Sequence, residues 1–407
     1  MESILKIRKG VDNVSSKITF MPISYTGWGS LEHLTSEAER LNASNILIVT
    51  DPFLEELGMT NKIVEPLQAK GWKTSVYTEV VPEPPLEVGE KLVAYTKENK
   101  FDLVIGLGGG SALDLAKLAG VLAAHEGKVA DYLNLTGDRS LTHKGIPKIL
   151  IPTTSGTGSE VTNISVLSLE STKDVVTHDY LLPDVAIVDP ALTTSLPPKV
   201  TAATGIDALT HAIEAYVSKN ANPVTDGLAL QAIRLISGSI RQAVADGENK
   251  EARTNMSYGS YLAGLSFFNA GVAGVHALAY PLGGQFHISH GESNAVLLPY
   301  VMGYIRPSCE KRMNDILEAM GFSANQLSQE QASYKCVEEL KRLVADVNIP
   351  VSLKGFDIGE DALDSLADDG IKQTRILARS PMPLTREDIY TIYHAAYSGE
   401  VTEKKRV

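Results

Sequence analysis

The sequence predicts two joined parts: an N-terminal α/β half with a Rossmann-like parallel sheet, and a C-terminal all-helical half. Three observations predict this. Short apolar runs alternate with amphipathic helical stretches as far as residue 189. A glycine-rich turn, Gly108-Gly109-Gly110-Ser111, follows one of those runs and opens a helical stretch. After Asp189-Pro190 the alternation stops and helical periodicity takes over. Strand–helix–strand alternation implies parallel strands covered on both faces. The boundary is placed between 1–189 and 190–407.

A β segment is expected first, within 13–24. Buried strands follow at 46–50, 72–77, 103–107, 148–151 and 185–188. Each is a short aliphatic run of strand length. Helices near 32–41, 61–69, 86–98 and 112–125 separate several of them. In the second half helices are expected at 198–218, 223–245, 250–268, 272–287, 309–320, 328–346, 360–369 and 386–397. Leu228, Ala232, Leu235, Ile236 and Ile240 recur near the 3.6-residue period, behind a helix start at Pro223-Val224-Thr225-Asp226.

Composition bounds the function. The 407 residues are 43% hydrophobic and 21% charged, an ordinary globular balance for two domains. A net charge of -12 argues against nucleic acid and anionic membranes as partners. Two cysteines, Cys309 and Cys336, fit a reducing compartment. No apolar run is long enough to span a membrane, and Met1-Glu2-Ser3-Ile4-Leu5-Lys6 is not a signal peptide, so the cytoplasm is expected.

Two constellations carry chemistry. Asp207 and His211 lie four residues apart, which places both side chains on one helix face. His276 follows in an apolar, small-residue segment, where an imidazole needs a partner. His287 and His290 come next, and spacing alone admits either. A carboxylate with three imidazoles suits one Fe(II) or Zn(II) ion. The second constellation is a set of loops at strand ends. Gly108, Gly109, Gly110 and Ser111 allow close approach of a pyrophosphate to a helix N-terminus. Asp51 ends an earlier strand, where an acid can bind a ribose 2′-hydroxyl and repel a 2′-phosphate. It precedes the glycines instead of following them, unlike the usual dinucleotide fingerprint. The loop Pro152-Thr153-Thr154-Ser155-Gly156-Thr157-Gly158-Ser159-Glu160-Val161-Thr162 is dense in hydroxyls. Phe267, Phe268 and Asn269 are expected in the pocket wall. No Arg or Lys cluster flanks the ligands in the sequence.

These motifs, in this order, resemble the iron-containing (group III) alcohol dehydrogenases over essentially the whole length. The resemblance rests on Gly108-Gly109-Gly110-Ser111 with Asp114 and Lys117, on the Thr-rich loop, on 205–216 and on 276–299. It implies an N-terminal dinucleotide-binding domain and a C-terminal helical domain, with Asp207, His211, His276 and His290 as metal ligands. It also implies Gly108 to Ser111 at the pyrophosphate, and Asp114, Thr153, Thr154, Thr157, Thr162 and Lys173 along the cofactor cleft. NAD is the implied cofactor, with Fe(II), or alternatively Zn(II), as the metal. Many relatives carry another histidine one turn after the third ligand, where this chain has Tyr280; Tyr280 and His287 are therefore the candidates for proton transfer. The implied reaction is reversible hydride transfer between a small primary alcohol or diol and NAD, in a homodimer or larger homo-oligomer. Alternatives are a hydroxyacid–oxoacid transhydrogenase, a glycerol-dehydrogenase-like polyol oxidoreductase and, more distantly, a dehydroquinate-synthase-like cyclase.

Overall fold

The computed structural model describes residues 15–169 and 173–404. Its first half is a six-stranded sheet formed by β1 (Ile23–Thr26), β2 (Asn45–Val49), β3 (Lys73–Tyr77), β4 (Leu103–Gly108), β5 (Lys148–Pro152) and β8 (Val185–Val188), in the order β1-β8-β5-β4-β2-β3. Every pairing is parallel. All strands therefore end on one edge, where ligands bind in open parallel sheets. Alternate residues of β2 face opposite cores. Leu47 and Val49 pack on one side; Ile46 and Ile48 pack on the other. The helices of this half are α1 (Leu34–Arg40), α2 (Pro52–Glu56), α3 (Asn61–Ala69), α4 (Leu86–Asn99) and α5 (Gly110–Leu122).

Several features depart from the sequence reading, two of them in the sheet half. The early β segment expected at 13–24 forms as β1; residues 13 and 14 lie outside the described residues, and 15–22 make no strand. The Asn269 amide takes both backbone groups of Thr19, accepting from its N–H and donating to its carbonyl. That contact replaces sheet pairing, and it turns Asn269 away from the pocket wall. The second is an antiparallel hairpin, β6 (Ile164–Ser168) and β7 (Lys173–Thr177), between β5 and β8.

The second half is helical: α6 (Pro198–Val217), α7 (Pro223–Ala245), α8 (Lys250–Ala270), α9 (Gly274–Phe286), α10 (His290–Ile305), α11 (Glu310–Ala319), α12 (Gln329–Asp346), α13 (Leu363–Gly370), α14 (Thr374–Leu377) and α15 (Arg386–Ser398). α10 has no counterpart among the expected helices. It is buried almost all round and contains Pro299, so it shows neither an amphipathic stripe nor an unbroken run. Among the described residues no single helix is long and apolar enough to cross a membrane; α8 and α9 meet both conditions only as a pair, bent by 104°.

Candidate active site

The strand edge assembles the glycine turn. β4 ends at Gly108, whose φ of 149° belongs to the left-handed side that favours glycine. A Cβ there would lie 2.8 Å from Ala112, and one on Gly110 would lie 2.7 Å from the Thr157 methyl. The turn is thus bare backbone, and α5 begins directly behind it. The Thr153 N–H donates to the Gly108 carbonyl, which ties the Thr-rich loop to the same edge. Thr154 packs beside Gly109. Asp51 caps α2 by accepting from the Leu54 N–H, and its other oxygen faces Gly108.

Asp114 anchors a buried polar network beside the turn. It accepts from the Ser159 hydroxyl and the Val166 N–H, and it pairs with Lys117 at 2.8 Å. Lys117 is fully buried and also donates to the Ser159 carbonyl and the Thr162 hydroxyl. This network clamps α5, the Thr-rich loop and β6 together. Glu160 is buried beside it, and burial pushes its carboxyl up to about 7. Lys173 pairs with Glu83 at 2.8 Å on the hairpin wall.

The helical half supplies a second cluster. α6 carries Asp207, His211 and Glu214 on one face. His276 lies in the first turn of α9, and His290 opens α10. One donor atom from each of Asp207, His211, His276 and His290 lies within 4.8 Å of all the others. The imidazole Nε2 atoms of His276 and His290 each stand 3.6 Å from Asp207 Oδ1, and that of His211 stands 4.0 Å away. These distances are too long for hydrogen bonds and right for atoms that face a common point.

Two residues hold the cluster in place. Glu214 accepts from the backbone N–H of Val275 and from His276 Nδ1, both at 2.6 Å. It thereby caps α9 and fixes the His276 ring so that Nε2 faces the cluster. Asn294, one turn beyond His290, directs its amide nitrogen at Asp207 Oδ1 (2.7 Å) and at Nε2 of both His276 and His290 (3.2 Å). Its own buried Oδ1 has no partner among the described residues. The lone pairs of three ligands therefore converge where this amide points, and the donor set fits one divalent cation. Glu214 lay in the motif quoted from the sequence, three residues after His211 and seven after Asp207. That helical spacing was the available signal. Asn294 sat in a helix the sequence hid.

Electrostatics agree with this fit. Burial alone would raise the Asp207 carboxyl, but His211, His290 and His276 together hold it well below the usual carboxylate range. Burial lowers His211 to about 4 and His290 to about 3. Burial would lower His276 too, but the Asp207 carboxylate that faces it and its hydrogen bond to Glu214 raise it to about 9. An ionised carboxylate and two neutral imidazoles are what a cation needs; the proton on His276 must leave as one binds.

Close packing sets the position of His290. A Cβ on Gly291 would lie 2.3 Å from the Ala203 carbonyl oxygen, so α10 rests against the backbone of α6. Gly291→Ala is expected to push these helices apart, at a cost of about 1–3 kcal/mol, and to weaken metal binding. Thermal denaturation and calorimetric metal titration check this; unchanged affinity would separate His290 from that contact.

Both clusters open into one cavity of about 410 Å³. It runs from Gly110 and Ser111 past Asp114, Thr157, Thr162 and Lys173 to Asp207, His211, His276 and His290, with Phe267, Phe268 and Tyr280 in its wall. Phe267 stacks on His211 at 4.3 Å. His287 is not in this lining: it is exposed and caps the end of α9 with φ 55°. Contrary to the sequence reading, basic residues do reach the cavity. Besides Lys173, the lining includes Arg375 and Arg379.

Residues 22–190 match the sequence profile of the iron-containing alcohol dehydrogenases, and residues 201–397 match that of the C-terminal part of the Fe-containing alcohol dehydrogenase family. The chain belongs to the iron-containing alcohol dehydrogenase family. It is accordingly an oxidoreductase of the alcohol dehydrogenase type. Long-chain-alcohol dehydrogenase 1 of Geobacillus thermodenitrificans (strain NG80-2) is 68% identical over 388 residues, covering 95% of this chain and 98% of that protein. The crystal structure of a 1,3-propanediol oxidoreductase aligns with a TM-score of 0.90 at 36% identity, covering 94% of this chain and all 100% of that one. A sulfoacetaldehyde reductase from Bifidobacterium kashiwanohense, solved in complex with NAD+, aligns with a TM-score of 0.85 at 29% identity, over 95% and 100% of the two chains.

Proposed function

We propose that this iron-containing alcohol dehydrogenase uses NAD and one Fe(II), with Zn(II) as the alternative, to interconvert primary alcohols or diols and their aldehydes. The observation that carries this reading is the single cavity joining the α5 N-terminus to the Asp207, His211, His276 and His290 cluster. Bound there, a divalent ion supplies Lewis-acid charge that acidifies an alcohol or polarises a carbonyl, and NAD supplies the hydride acceptor.

The chain's own groups do the rest. Free N–H groups at Gly110 and Ser111 receive the pyrophosphate, and Asp51 binds the adenosine ribose. Thr157 packs against this turn, while Thr153, Thr154 and Thr162 shape the loop beside it. Asp114 acts through Ser159 and Val166, holding the cleft rather than touching NAD. Phe267 and Phe268 exclude water from the reacting atoms. Tyr280 is half-buried in the cavity wall, and desolvation raises its phenol above the ordinary value. It therefore stays protonated at neutral pH, available to donate a hydrogen bond to a substrate oxygen and not to act as a base. The exposed position of His287 favours no direct role for it in the cleft. The division into 1–189 and 190–407, a cytoplasmic location and a homo-oligomeric state complete the reading.

The test is NADH formation from a series of primary alcohols of increasing chain length and of diols. No turnover of any of them by metal-loaded protein would refute the reading. Asp51→Ala is expected to lower the ratio of kcat/KM with NAD to that with NADP by roughly tenfold to a hundredfold. An unchanged ratio would remove Asp51 from the ribose site.

A further inference from the structure

The cavity lining carries two positive charges that no carboxylate neutralises among the described residues. Arg375 and Arg379 are four residues apart, in α14 and the turn that follows it, and both line the cavity. Arg375 stands at the exposed mouth and Arg379 is half-buried. Among the described residues neither guanidinium has a hydrogen bond or a carboxylate partner.

That is out of character for this molecule. Arg253 donates to the Gly247 and Leu196 carbonyls and the Thr201 hydroxyl. Arg306 pairs with Glu310 and Glu403. Arg312 grips Asp226 with both terminal nitrogens. Every one of these half-buried or buried arginines is satisfied. Arg379 instead feels burial and the like charge of Arg375, both of which lower its pKa. A guanidinium in such a place costs stability unless an anion joins it.

The pair is also built into the wall. A Cβ on Gly271 would lie 2.4 Å from Arg379 Cδ and 2.6 Å from its Nε. The glycine, at φ 81°, makes room for the arginine stem against the turn that joins α8 to α9. That turn connects the Phe267 and Phe268 wall to His276. Arg375 is also among the charges that act on Tyr280, one turn after His276. The two guanidiniums therefore stand on the substrate side of the metal-type ligands. The pyrophosphate turn at Gly110 belongs to the opposite, α/β wall. The third cation of the lining, Lys173, is already paired with Glu83.

We infer that Arg375 and Arg379 bind a carboxylate at the far end of the substrate, so that the enzyme prefers ω-hydroxy acids and ω-oxo acids to neutral alcohols of equal length. Planar guanidiniums match a carboxylate through paired N–H donors. The carboxylate is a spectator. The hydroxyl-bearing carbon loses a hydride to NAD+ and the hydroxyl loses its proton, giving the aldehyde, NADH and H+. The inference rests on the dehydrogenase reading and narrows its substrate class.

The experiment compares kcat/KM for ω-hydroxycarboxylates of four to eight carbons with 1-alkanols of the same lengths, in metal-loaded wild-type enzyme. At one length at least, the hydroxy acid is expected to lead by roughly tenfold or more. Added salt should erode that lead, since it screens the charges. In Arg375→Gln and Arg379→Gln the ratio of hydroxy acid to alkanol should collapse towards one. A ratio of one or below at every length in the wild type overturns the proposal while leaving the dehydrogenase intact, and needs no variant to fold. An unchanged ratio with a raised KM for NAD in the variants would assign the arginines to a cofactor phosphate and overturn it as well. Failure to oxidise either series would instead refute the dehydrogenase reading.

Discussion

His276→Ala is expected to strip the metal and abolish alcohol oxidation while leaving the fold in place. The imidazole meets the cluster with Nε2 and Glu214 with Nδ1. Removing a group that merely orients a ligand costs about 10–100-fold in metal affinity. Removing the ligand itself must cost at least the upper end of that range. The fold should survive because Glu214 still caps α9 through the Val275 N–H. Metal analysis of the purified variant, with circular dichroism, checks both halves. A metal-replete, active His276→Ala enzyme would sink the ligand assignment.

The second large effect is structural. Lys117→Met is expected to destabilise the protein by about 3–5 kcal/mol, because it leaves Asp114 buried without its cation. The same change frees the Ser159 carbonyl and the Thr162 hydroxyl, so the cofactor loop should loosen and KM for NAD should rise. Adding Asp114→Asn should recover part of the stability, since removing both charges costs less than orphaning one. Thermal denaturation of the single and double variants decides. If the double variant is no more stable than Lys117→Met alone, the buried pair is not the source of the loss.

The sequence made the parallel sheet and part of the Asp–His cluster legible for physical reasons. Buried parallel strands read as aliphatic runs, and Asp207 with His211 declares a helical face by spacing alone. The choice between His287 and His290 was not local. It was made by the Gly291–Ala203 contact, which brings α10 onto α6, while His287 terminates α9 and faces solvent. The hairpin escaped because Ile164–Ser168 is a short strand that carries two serines and buries one of them, Ser165, so its sequence shows no aliphatic run. Arg375 and Arg379 escaped for another reason. They follow His290 by more than 80 residues, and only the packing of α14 brings them to the cavity.

One cation is expected to sit among Asp207, His211, His276 and His290 and to make the enzyme active. Elemental mass spectrometry on anaerobically purified protein tests it most directly, paired with NADH formation before and after chelation. About one iron or zinc per chain is expected, with activity lost on chelation and restored by the metal. Protein free of metal under reducing, chelator-free conditions, yet still oxidising alcohols, would contradict it.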